Sequence, residues 1–346
     1  MKGLFVDGAA GLLLREEREP APQPGQLRIR ATCSLVSGGT ELHYIKQWTT
    51  ANQRSVIGYC SSGVVDAVGE GVREFAVGDR VIAMGWGYAR HAEVICVPYR
   101  YCVKIPDSLP FERAVFANLA ATSLHAVHRA LMDERDRVLV IGAGLVGQLV
   151  AQIARSRLES VLVADTDPRR CSAAESAGCI GVPLADATGL YDAVREAADG
   201  KGVSKIFLCM VGKASETVSD ALRLVNAFHD PLVRPALVAA GRFDASLAFS
   251  VDMGNSDIRY AARCGTGYRD DDYAHGRAER TPPPGEGRVD DNLRECVAMI
   301  TDGRIRPELI HDLQLPFSQS ADAYGPFESK SAPLGVTFSY PGGASL

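Results

Sequence analysis

Three textures of hydrophobic and polar positions follow one another along the chain. In the first, short alternating runs dominate: residues 26–31 read QLRIRA, 63–68 GVVDAV, 79–83 DRVIA and 91–97 HAEVICV. Alternation with period two puts every second side chain on one face, which predicts half-buried strands. Gly69, Gly71 and Gly78 punctuate these runs, so the segment predicts a small all-β, barrel-like unit. From residue 112 the period lengthens. Residues 112–131 are alanine-rich at helical spacing, and apolar strands at 137–142, 160–165, 205–210 and 232–240 then alternate with helical stretches. That alternation predicts a parallel sheet covered by helices on both faces, giving an α/β fold class. The third texture, RDDDYAHGRAERTPPPGEG at 269–287, reads as an exposed loop. A helix over 291–302 closed by Gly303 follows, and VTFSY at 336–340 is placed to return as a strand to the first unit.

Composition narrows the function classes. With 346 residues, 46% of them apolar, the chain has material for two cores. A net charge of −5 gives no electrostatic reason to bind nucleic acid or an anionic membrane. The N-terminus (MKGLFVDGAAGLLLREEREP) meets charges too soon for a signal peptide or a membrane span. Nine cysteines, an odd number without any C-x-x-C pair, argue against a disulfide framework and for a reducing, cytoplasmic setting.

The strongest chemical signal is VLVIGAGLVG at 138–147. Gly142, Gly144 and Gly147 form G-x-G-x-x-G after an apolar strand and before the helical run GQLVAQIARS. The glycines give a tight turn, close approach of backbone to a pyrophosphate, and close helix–strand packing. The amides of the helix start, at Leu145 and Val146, face the phosphates with a partial positive charge behind them. The next strand, SVLVA, ends in Asp165, whose carboxylate suits the ribose hydroxyls and favours NADH. Arg169 and Arg170 follow closely, and Arg170 is a candidate contact that keeps NADPH open.

With these residues in hand, the chain resembles the medium-chain dehydrogenase/reductase family. The resemblance rests on SGGTELH at 37–43, GYCSSGVV at 58–65, VGEGVREFAVGDRV at 68–81, GYARHAEV at 87–94 and the glycine motif. It implies a GroES-like β-barrel catalytic domain over 1–116, a Rossmann domain with a doubly wound parallel sheet over 117–264, and a return to the catalytic domain over 265–346. It also implies a homodimer and a small-molecule substrate. Where zinc members of the family have ligands, this chain has Gly38, then Tyr59 and Cys60 after Gly58, and Ala117 or Asn118. Cys33, Cys60, His43 and His91 lack metal spacing, and the four-cysteine structural lobe is absent. We therefore expect no metal site and no zinc.

Without a Lewis acid, hydrogen-bond donors must stabilise developing negative charge. Tyr59 and Ser37 are the candidates. Thr40 and His43 keep the spacing that the resemblance assigns to a proton relay. By resemblance Thr122, Val211 and Gly212 border the nicotinamide and the loop 265–277 lies near the substrate cleft, so one of Tyr268, Tyr273 and His275 is expected to touch substrate. The expected activity is hydride delivery from NADPH or NADH to an activated C=C or C=O of a specialised metabolite, ring closure on hydride addition being one form of it. The rivals are a zinc-independent dehydrogenase of an alcohol, sugar or cyclitol, and a non-catalytic nucleotide-binding protein.

Overall fold

A computed structural model describes residues 1–247, 251, 254–329 and 331–341. The N-terminal part comprises β1 (Lys2–Asp7), β2 (Leu12–Glu16), β3 (Gln26–Val36), α1 (Gly38–Thr50), β4 (Arg54–Val56), β5 (Cys60–Val68), β6 (Arg80–Met84), β7 (Val94–Pro98) and β8 (Cys102–Lys104). The middle runs through α2 (Phe111–Ala114), α3 (Ala117–Ala130), β9 (Val138–Ile141), α4 (Leu145–Arg155), β10 (Val161–Asp165), α5 (Pro168–Ser176), β11 (Ile180–Pro183) and α6 (Leu190–Ala197). It continues with β12 (Lys205–Leu208), β13 (Val211–Lys213), α7 (Ser215–Asn226), β14 (Ala236–Ala239), β15 (Arg242–Asp244) and β16 (Asp257–Tyr260). Last come α8 (Asp271–Ala274), α9 (Val289–Thr301), β17 (His311–Pro316) and β18 (Gly335–Ser339).

Two sheets organise the chain. One has the order β17-β18-β3-β5-β6-β8, with β7 also pairing β3. β18 lies antiparallel to β3, with Val336 opposite Val36 and Phe338 opposite Ser34, so the end of the chain closes onto its beginning. The other is β11-β10-β9-β12-β14-β16, parallel throughout. Its order reverses between β9 and β12, and the crevice at the carboxyl ends of those strands is where such sheets take ligands. Its central strands are fully buried apolar runs (VLVI, KIFL), as a sheet covered on both faces requires.

Several sequence expectations need correction. The strand expected at 232–240 is confined to Ala236–Ala239, because Pro231 and Pro235 fix φ and supply no N–H to a ladder. The helix expected over 112–131 is two helices, and Leu131 ends the second in the left-handed region at φ 49°. The loop at 269–287 contains α8, whose Tyr273 and Ala274 are buried. The hairpin of β1 and β2 was not foreseen. Among the described residues no helix is long and apolar enough to cross a membrane, and all nine cysteines are free.

Candidate active site

The glycine turn between β9 and α4 is shaped by what each glycine must avoid. At Gly142, with φ +91°, a Cβ would stand 2.8 Å from the Met210 backbone nitrogen, so the β9 and β12 turns touch only through a glycine. At Gly147 a Cβ would meet the Gly142 carbonyl oxygen at 1.9 Å. Gly144 differs: φ is −68° and ψ −179°, ordinary for any residue, and a Cβ would meet nothing within 4 Å. Its missing side chain therefore leaves open space over the helix start. The amides of Leu145, Val146 and Gly147 have no acceptor among the described residues, which leaves them for an anion. The turn thus fits a dinucleotide pyrophosphate.

Asp165, at the end of β10, braces this turn. Its Oδ2 accepts from the Ala143 amide at 2.7 Å and its Oδ1 from the Asp167 amide at 2.8 Å. Each carboxylate oxygen has a second lone pair for a ribose hydroxyl. Arg170 lies 3.9 Å from Asp165 Oδ2, and its buried Nε stands 3.7 Å from Asp167 Oδ2, an ion pair too long to be a hydrogen bond. Arg169 is instead committed to Asp167 at 2.6 Å. Thr122 is half-buried on α3, and that helix packs on the same turn through Ser123 Oγ, which donates to the Val146 carbonyl at 3.2 Å. Val211 and Gly212 lie on β13 at the mouth of the crevice, Val211 68% exposed.

In the β domain, the residues at the start of α1 form a hydroxyl cluster. Ser37 is the N-cap of α1, yet its hydroxyl caps no amide. It accepts instead from the Tyr59 phenol at 2.6 Å. Burial, with help from Cys60, holds Tyr59 well above the usual phenol range, so it stays protonated. His43 is exposed one helical turn beyond Thr40, on the same face of α1. Partial desolvation and the nearby Arg242 guanidinium lower its pKa, so the ring is neutral at pH 7.

Beneath this cluster lies a buried polar network that sequence reasoning missed. Glu41, 0% exposed, accepts from the Ser37 amide at 3.1 Å and from the Tyr324 phenol at 2.5 Å, and meets His91 Nε2 at 3.1 Å. His91 Nδ1 pairs with Ser34 Oγ at 2.8 Å, and Ser34 with Tyr340 OH at 2.8 Å. Gly58, at φ +96°, lets the chain pass there, since a Cβ would strike the His91 backbone nitrogen at 2.6 Å. The available signal was spacing: Glu41, Ile45 and Trp48 share the buried face of α1.

Of the three residues expected near substrate, Tyr268 adjoins the cluster: its hydroxyl accepts from the Trp86 amide at 3.1 Å, and Trp86 packs on Tyr59 at 5.5 Å. Tyr273 does not. It is 0% exposed, and its phenol is committed to Asp290 under α9. His275 rests on the β-domain surface, held by the Asp271 carbonyl at 2.9 Å and near Gln26 at 3.4 Å. Cys60 and Cys33 are buried thiols, Cys33 pushed up to about 12 by desolvation and Cys60 well above its ordinary value. Among the described residues no group of three or more His, Cys, Asp or Glu is placed to hold a metal ion.

Comparison with known proteins bears on this architecture. The alcohol dehydrogenase GroES-like domain matches residues 23–107. The starvation-sensing protein RspB of Escherichia coli K12 is 27% identical over 51% of this chain and 61% of its own. Human sorbitol dehydrogenase is 27% identical over 51% of this chain and 58% of its own. The solved RspB of E. coli CFT073, complexed with NADH, superposes with a TM-score of 0.75 at 21% identity, covering 98% of this chain and 99% of that one. Residues 23–107 form an alcohol dehydrogenase GroES-like domain, and the whole chain has the alcohol dehydrogenase-like fold of that solved structure. The chain spans about three fifths of the length of the two curated relatives named here. Arg242, which follows β14 at the carboxyl end of the parallel sheet, lies 5.2 Å from the Tyr44 ring on α1, so the helix that carries Ser37 and Thr40 packs at the same end of that sheet as the glycine turn.

Proposed function

We infer that this chain is a medium-chain dehydrogenase/reductase, a nicotinamide-dependent oxidoreductase that works without zinc, reducing an activated C=C or C=O of a specialised metabolite in the cytoplasm. The observation that carries the reading is the open space over Gly144 beside three unpartnered amides. Asp165 would hold the adenosine ribose and Thr122 and Gly212 would border the nicotinamide, which when bound supplies or accepts the hydride. The zinc-free reading draws on Gly38, where a Cβ would already run into the Phe327 ring at 2.4 Å, and on Tyr59 after Gly58. No ligand side chain can enter at Gly38 without displacing that ring.

The chain's own groups then handle charge and proton. With substrate bound, Tyr59, kept protonated by burial, turns its one O–H from Ser37 to the oxygen on which negative charge develops, and the Ser37 hydroxyl in turn donates to the phenol oxygen and holds it in place. Thr40 and His43 carry the proton between that oxygen and solvent. We also infer a homodimer paired along the β16 edge, where Ile258 and Tyr260 are 48% and 63% exposed. The name of the relative sorbitol dehydrogenase favours a second reading, oxidation of an alcohol or polyol by the same cluster.

Cofactor-dependent turnover, assayed in both directions with and without chelator, tests these readings. Chelator-resistant reduction supports the first, and chelator-resistant, alcohol-dependent NAD reduction the second. Tight NADH binding with no turnover on a broad panel favours a sensor of nucleotide. Loss of activity on chelation overturns the zinc-free account.

A further inference from the structure

One cation at the crevice has no carboxylate to answer it. Arg242 opens β15 directly opposite Val211 in the ladder with β13, and it is exposed. Among the described residues it makes no ion pair and no side-chain hydrogen bond. Its guanidinium carbon lies 5.2 Å from the centroid of the Tyr44 ring, a cation–π distance that uses none of its hydrogen-bond donors. By contrast, Arg234, just before β14, and Arg259, on β16, are committed: both pair with Asp257 at 2.6 Å.

The rings beyond Arg242 form a continuous strip. Tyr44 lies 4.7 Å from Trp86, and Trp86 lies 5.5 Å from Tyr59, centroid to centroid. Tyr44 and Trp86 are half-buried, so part of each ring stays open, while Trp48 backs both at 5.3 and 6.0 Å. The strip therefore runs from an unanswered guanidinium, across aromatic faces, to the phenol that meets the reacting oxygen. It offers flat apolar surface and few groups that could pair the many hydroxyls of a polyol.

Resting on the oxidoreductase reading above, we propose that the substrate is an aromatic or similarly flat molecule bearing an anionic group, seated with its anion on Arg242 and its reacting centre at Tyr59. Trp86 and Tyr44 form the floor and Arg242 is the specificity-determining residue. The Arg242 guanidinium also lowers the pKa of His43, which places both groups in one electrostatic neighbourhood. The anion that suits Arg242 could belong to the substrate or to the phosphates of the dinucleotide, and the test separates the two.

The experiment is calorimetric titration of 2-naphthoate and of neutral 2-naphthamide into wild type, Arg242→Gln and Arg242→Lys, alongside NADH. Wild type should bind the acid about ten-fold or more tighter than the amide, the contribution of one charge-assisted hydrogen bond. Arg242→Gln should erase that difference, Arg242→Lys should keep much of it, and all three should bind NADH within about two-fold of one another. Since the protein's two tryptophans both lie in the strip, their emission should change with either ligand. Equal binding of acid and amide by wild type overturns the proposal. So does a loss of NADH affinity in Arg242→Gln matching its loss for the acid, which would assign the cation to the dinucleotide. Failure of wild type to bind NADH while acid and amide are still discriminated would sink the oxidoreductase reading alone.

Discussion

Replacing Gly144 and Gly147 separately with alanine should produce opposite failures, although both belong to one motif. At Gly147 the new Cβ would sit 1.9 Å from the Gly142 carbonyl oxygen, a backbone atom that cannot move without moving β9. Overpacking of this kind costs about 1–3 kcal/mol or more, so thermal unfolding should drop by several degrees. At Gly144 the new Cβ meets nothing within 4 Å and the backbone already suits an L-residue. Reduced freedom of the unfolded chain stabilises Gly144→Ala by about 0.4–1 kcal/mol, and the poorer N-cap offsets a similar amount. Its melting temperature should therefore match wild type. NADH affinity should not, because the methyl occupies the space through which a pyrophosphate reaches the Leu145 to Gly147 amides. Taking the same ~1–3 kcal/mol for crowding, Kd should rise roughly 5- to 150-fold. Differential scanning calorimetry and NADH fluorescence titration read the two effects independently. A Gly144→Ala protein with wild-type NADH affinity would refute the assignment of that open space to the nucleotide.

Three further perturbations address the rest of the account. Tyr59→Phe removes the donor to the developing oxyanion and should lower kcat by about 10²-fold or more with little change in melting temperature, and an unchanged kcat would remove Tyr59 from the chemistry. Glu41→Gln keeps the shape of the buried network but loses charge-assisted bonds to His91, Tyr324 and the Ser37 amide, so urea unfolding should show a loss of about 1.5–3 kcal/mol, and a loss under 0.5 kcal/mol would contradict the network's importance. His125, buried on α3, is lowered to about 4 by desolvation, with Arg129 and His128 adding to it. The unfolded chain then binds the proton first, so this contribution to stability is present above the unfolded value of about 6.5 and is lost as pH falls toward 4, about 2 kcal/mol of it between pH 7 and pH 5. The His125→Leu variant should lose less stability than wild type over that interval, and parallel curves would show that His125 is not the group responsible.

Sequence pattern located the elements that matter where periodicity was clean. The strand–glycine–helix unit at Val138 to Arg155 and the antiparallel return of β18 both follow from local pattern and fold-level rules. Pattern failed where long-range contacts decide. The hidden face of α1 carries Glu41, and nothing near it in sequence announces that His91, Tyr324 and Ser34 would gather around it. Tyr273 looked like a loop residue because its neighbours are aspartates, but Asp270 caps α8 through the Tyr273 amide and turns the ring inward onto Asp290. Arg242 carries no motif at all. Its meaning arises only from the Tyr44 ring brought opposite it by the packing of α1 against the crevice.

A crystal structure of the protein grown with NADH puts the central claim to its most direct test. The account predicts the pyrophosphate against the amides of Leu145, Val146 and Gly147, the adenosine ribose on Asp165, and the nicotinamide ring turned toward Tyr59. Nucleotide bound elsewhere, or well-ordered crystals in saturating NADH with that turn filled only by solvent, would contradict it.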